Sequence, residues 1–106
     1  MIVAIPVDDK LVDKNLSQSF GRAAYFLIYN TETHSELYID NKASNNLGGA
    51  GIKAAQLIVD SGADVLITPR CGENAADVLK TADINIYRSI DSSIEDNIEA
   101  LSKGKL

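Results

Sequence analysis

Hydrophobic residues fall in three patterns along the chain, and each predicts a different element. Ile2 to Val7, Tyr25 to Tyr29 and Val65 to Ile67 are continuous apolar runs, as strands buried on both faces require. Glu36 to Asp40 and Ile84 to Tyr87 alternate apolar with polar, the mark of half-exposed strands. Between and after these runs the period lengthens to that of a helix. Ile52, Ala55, Ile58 and Val59 lie opposite a polar stripe of Lys53, Gln56 and Asp60, and Ser61-Gly62 supplies a stop. Ala75, Val78, Leu79 and Ala82 make a second amphipathic face, and Ile94, Ile98 and Leu101 a third. Ser92 and Glu95 have the spacing of a capping box before the third helix, and Gly104 follows it. Pro6 cannot donate to a sheet ladder, so it is expected near the end of its strand or at a bulge.

The polar segment Thr31 to Ser35 makes a hairpin of the second and third strands, and the order becomes β-β-β-α-β-α-β-α. Placing the continuous runs inside and the alternating ones at the edges gives an α/β fold with a five-stranded mixed sheet of order 3-2-1-4-5. Strand 2 is antiparallel in it, and three helices cover the faces as outer layers. This order matches a ribonuclease-H-like, three-layer arrangement. The 106 residues show no linker or repeat and are read as a single domain spanning 1–106.

Composition narrows the function classes. Hydrophobic residues make up 45% of the chain and charged residues 24%, which favours a folded globule over disorder. A net charge of -5 with scattered basic residues disfavours nucleic-acid binding. No apolar run reaches the roughly 18 residues of a membrane span, and the start lacks the pattern of a signal peptide. The single cysteine, Cys71, permits no internal disulfide and points to a reducing cytoplasm.

In open α/β sheets, ligands bind beyond the carboxyl ends of parallel strands where the strand order reverses. Here that point lies between the first and fourth strands. Asp8-Asp9 ends the first strand, and Thr68-Pro69-Arg70-Cys71-Gly72 ends the fourth. The long Asp8 to Gly21 loop, Arg22 and the Gly48 to Gly51 loop open at the same edge, whereas His34 belongs to the opposite end. Gly49, Gly51 and Ala54 fit G-x-G-x-x-A, but no strand runs into the glycines and no acid follows about twenty residues on, so a dinucleotide site is disfavoured. The glycines have two readings. They let a helix start close to the sheet, or they present free N–H groups to an anionic ligand. Cys71 is either a small packing residue or a thiolate favoured by Arg70 and a helix N-terminus; without a neighbouring base it is no catalytic nucleophile. Asp8 and Asp9 are read as loop or helix-cap residues. A metal-dependent nuclease is suggested by fold alone and lacks acids on the fourth strand.

The opening Ile5-Pro6-Val7-Asp8-Asp9, then Ser17-x-x-Phe20-Gly21-Arg22, Gly48-Gly49-Ala50-Gly51-Ile52 and Gly72-Glu73-Asn74-Ala75, resembles the dinitrogenase iron–molybdenum cofactor biosynthesis family. That family includes NifX-like and NafY-like carriers and the C-terminal domain of NifB-type proteins. The resemblance implies non-catalytic binding or carriage of a preformed, iron–sulfur-type cluster, the iron–molybdenum cofactor or a precursor. Assembly or acceptor proteins are the implied partners, with no nucleic acid and no membrane. It implies cofactor-binding roles for Ser19, Phe20, Gly21, Arg22, Gly48, Gly49, Gly51 and Arg70. Many carriers have His where this chain has Ser19, so either Cys71 substitutes as the metal ligand or this member binds something else. The competing reading is a small binding or regulatory module for an anionic organic ligand at the glycine loop.

Overall fold

The computed structural model describes residues 1–10, 15–42 and 49–106. Its strands are β1 (Ile2–Val7), β2 (Tyr25–Asn30), β3 (Glu36–Asp40), β4 (Val65–Thr68) and β5 (Asn85–Arg88), and its helices α1 (Ala50–Asp60), α2 (Glu73–Thr81) and α3 (Ile94–Ser102). They form a mixed, open α/β sheet of order β3-β2-β1-β4-β5. β2 runs antiparallel to both neighbours, while β1, β4 and β5 are mutually parallel.

Alternation along the strands divides the core between two faces. Ala4, Phe26, Ile28 and Leu66 point to one side, where Ala54, Ala55 and Ile58 of α1 and Ala75 and Leu79 of α2 cover them. Val3, Ile5, Val7, Leu27, Val65 and Ile67 point to the other, against Ile94 of α3. The four tyrosines, Tyr25, Tyr29, Tyr38 and Tyr87, pack at the margin of this second cluster. α1 and α2 approach each other through small residues: a Cβ on Gly51 would lie 3.6 Å from that of Ala75.

Three local expectations shift. Ile52 is 44% exposed, and Ala54, fully buried, takes the inward position instead. The helix starts two residues earlier than its apolar pattern, and close approach to the sheet and α2 suits alanine there better than isoleucine. The cap of α3 is Ser93, whose side chain accepts from the Asp96 N–H, rather than the Ser92–Glu95 pair. Ser92 hydrogen-bonds the Asp96 carboxylate one residue out of that register.

Pro6 stays in the ladder opposite Phe26, beyond the last β1–β4 pair at Ala4 and Leu66. Its carbonyl accepts from the Ser17 N–H at 2.9 Å. The N and C=O of one strand residue share an edge, so the missing N–H falls where β1 has already parted from β4. The chain returning through Asn15 to Ser17 fills that gap, and Asn15 forms an antiparallel bridge to Ser93.

Candidate functional site

The parting of β1 from β4 opens the carboxyl edge of the sheet, and four chain segments meet there. The first is the return from β1 to β2. Ser17 and Ser19 shape it: the Ser17 hydroxyl accepts from the Ser19 N–H at 3.2 Å, and the Ser19 hydroxyl accepts from the Arg22 N–H at 3.1 Å. Phe20, 4% exposed, anchors the turn against Phe26 with ring centroids 5.4 Å apart. Asp8 accepts from the Ala24 N–H, the loop-holding role its position suggested.

The second segment is the start of α1. Gly49 caps it at φ +70 and, having no side chain, offers no side-chain hydrogen bond to the first helical N–H groups. Gly21 lies directly against it; a Cβ there would fall 3.1 Å from the Gly51 nitrogen. Gly48 lies outside the described residues.

The third segment follows β4. The Thr68 hydroxyl donates to the Arg70 carbonyl at 2.9 Å and holds the turn that carries Arg70 and Cys71. Cys71 is half-buried at the edge of the cluster containing Phe20, Ala54 and Ala75. Burial pushes its thiol above the ordinary range, and the positive charge of Lys80 acts in the opposite direction. The fourth segment, after β5, is tied to β4 by the Ser89 N–H donating to the Thr68 carbonyl at 3.0 Å.

Buried polar side chains hold this edge. Those among the described residues are Ser17, Asn41, Thr68 and Asn97, all at most 3% exposed. Asn41 donates to the carbonyls of Gly21 and Ala23 at 3.1 and 2.9 Å. Asn97 accepts from the Ile90 N–H at 2.8 Å and donates to the Ile90 and Ser93 carbonyls at 3.2 and 2.9 Å. Each of the four thus fixes loop backbone at the same end of the sheet.

A cleft of about 720 Å³ opens over the ends of β4 and β5. Gln18, Arg70, Arg88, Ser89, Ile90 and Asp91 are among the residues lining it. Ser19, Phe20, Gly21, Arg22, Gly49, Gly51, Arg70 and Cys71 all lie at the carboxyl edge, but only Arg70 of these lines the cleft. His34 stands at the far end, with the Tyr29 hydroxyl 2.8 Å from its Nδ1. Among the described residues, no group of three or more His, Cys, Asp and Glu is placed to hold a metal ion. Among the described residues, no helix is long and apolar enough to cross a membrane.

Sequence reasoning missed Arg88, Asn41 and Asn97. Arg88 had a signal: β5 is parallel to β4, with Arg88 in register with Thr68, so its carboxyl end reaches the same edge. The two asparagines had none, because nothing local distinguishes a buried clamp from a surface amide.

The fold is an open α/β sheet with four loop segments gathered at its carboxyl edge. The chain belongs to the dinitrogenase iron–molybdenum cofactor family, whose pattern matches residues 1–104. An uncharacterized protein of Methanocaldococcus jannaschii is 33% identical to it over 109 residues, covering 100% of this chain and 89% of that protein. The apo form of the orange protein from Desulfovibrio gigas superposes with a TM-score of 0.93 at 29% identity, covering 98% of this chain and 88% of that one. A Thermotoga protein provisionally assigned as NifB superposes at 0.83 with 35% identity, over 98% of this chain and 89% of that one.

Proposed function

We propose that this protein binds and carries a preformed, anionic iron–sulfur-type cluster, the iron–molybdenum cofactor or a precursor, without catalysing its chemistry. The observation that carries this reading is the meeting at one edge of Cys71, Arg70, Arg22 and the glycine-flanked start of α1. Those groups suit a finished cluster, which brings its own sulfides and needs charge compensation and one or two protein bonds. Family membership supports the same cargo.

In this reading Cys71 is the side-chain ligand, and Ser19 leaves it that role by serving as a cap for the Arg22 N–H. Binding would displace the Cys71 proton, so uptake should weaken as pH falls. Ser19, Phe20, Gly21, Gly48, Gly49 and Gly51 shape the cradle. Assembly and acceptor proteins are the partners, the reducing cytoplasm is the setting, and the arrangement is of the ribonuclease-H-like kind.

Anaerobic titration with isolated cofactor, read by absorption and bound iron, tests the proposal. Cys71→Ser should abolish or sharply weaken uptake while circular dichroism stays native. Uptake unchanged in Cys71→Ser would return Cys71 to a packing role and defeat this assignment of the ligand.

A further inference from the structure

The cleft over β4 and β5 has chemistry beyond the cluster reading, which takes Arg70 alone of its lining residues. Arg70 and Arg88 both line it, and both are exposed. Neither guanidinium makes an ion pair or hydrogen bond to a described residue, in a chain whose net charge is -5. The amides of Asn15 and Gln18 and the hydroxyl of Ser89 add uncharged donors around them. Among the described lining residues Asp91 is the carboxylate that opposes them, which leaves those residues with a positive balance.

The walls are fixed in advance. Thr68, 2% exposed, holds the backbone of Arg70, and fully buried Asn97 holds Ile90 and Ser93. Ser17 and the Asn15–Ser93 bridge fix the remaining side. Preorganised walls lower the ordering cost of binding. A volume of about 720 Å³ is in the range of small-molecule sites and well above that of a single inorganic ion.

We propose that this cleft binds a small organic polyanion, with Arg70 and Arg88 gripping adjacent anionic oxygens of a phosphate- or carboxylate-bearing molecule. Guanidinium forks match the paired oxygens of both groups. The site shares Arg70 with the proposed cluster cradle but uses neither Cys71 nor a metal, and Arg88 belongs to it alone, so its test is read separately from cluster carriage.

The test uses metal-free full-length protein at low salt, titrated with pyrophosphate, citrate and inorganic phosphate while backbone amide resonances are followed by NMR. Pyrophosphate or citrate should shift the amides of Gln18, Arg70, Arg88, Ser89 and Ile90 at saturable concentrations, and inorganic phosphate should bind more weakly. The stronger of pyrophosphate and citrate identifies phosphate or carboxylate as the source chemistry. Arg88→Ala should weaken binding about tenfold or more, as loss of a charge-assisted bond predicts, with Arg88→Lys intermediate. Arg88 touches no other described side chain by charge or hydrogen bond, so both variants should fold. Absence of saturable shifts with all three probes up to millimolar concentration, or binding unchanged in Arg88→Ala, overturns the proposal. Failed cluster uptake with intact pyrophosphate or citrate binding would count against the cluster reading alone.

Discussion

The two ends of the sheet turn the chain by different physical means. At the hairpin end, Asn30 accepts from the N–H groups of Glu32 and Thr33 at 2.8 and 3.2 Å, and residues 32–35 are all exposed. These bonds span two or three residues, and water satisfies whatever they leave open. At the carboxyl end, Asn41 reaches back 18 and 20 residues, and Asn97 spans four to seven, from fully or almost fully buried positions. A buried polar group is costly unless paired, so its presence marks backbone whose shape must be held against alternatives. The hairpin needs only to reverse direction; the carboxyl edge needs long loops in one arrangement.

That contrast predicts a graded series of effects. The largest is Asn97→Ala, which removes several bonds and leaves the Ile90 N–H without its partner, while the Ile90 carbonyl keeps the bond from the Ser92 N–H. It should cost about 2–4 kcal/mol in urea unfolding, whereas Asn30→Ala should cost below about 1 kcal/mol. Equal costs at the two sites would erase the distinction between the ends.

Gly21→Ala comes next. Its Cβ would meet the backbone of Gly51 at 3.1–3.2 Å, too close without movement of α1. A loss of about 1–3 kcal/mol is expected, with faster amide exchange at the start of α1. Native stability and unchanged exchange would show that the contact is not needed to place the helix.

A smaller effect concerns Cys71. Because burial raises its thiol, alkylation at neutral pH should be slower than that of a free cysteine and should accelerate as pH rises. The folded chain holds this proton to higher pH than the unfolded chain does. The associated stability is therefore complete below the ordinary thiol range and is lost as pH rises through the raised value. Alkylation as fast as in a denatured control would contradict the burial.

The smallest effect belongs to the hairpin. His34 adopts φ 62, a conformation that glycine takes more easily. His34→Gly should leave stability unchanged or raise it by up to about 1 kcal/mol in thermal melts, and cluster uptake should not move. Reduced uptake would bring the far end of the sheet into function.

Sheet order was legible in the sequence because burial on one or both faces writes itself into the residue pattern at each strand. Continuous runs such as Ile2–Val7 had to lie inside, and the alternating Glu36–Asp40 had to lie at an edge. The common edge of Arg22, the glycines, Arg70 and Cys71 followed from strand direction alone. Helix details were less legible: Ile52 and the Ser92–Glu95 pair fit the helical pattern, yet close packing of α1 and a one-residue shift in the cap of α3 decided otherwise.

What the sequence by itself determined is therefore the order of elements, the faces they bury and the edge where loops gather, because periodicity and strand direction are local properties. Tertiary structure alone decided that Asn41 and Asn97 are buried clamps, that burial raises the Cys71 thiol, and that Arg70 and Arg88 share one cleft. Those properties depend on which distant segments exclude water from a side chain or come up beside it, and residue spacing does not encode that.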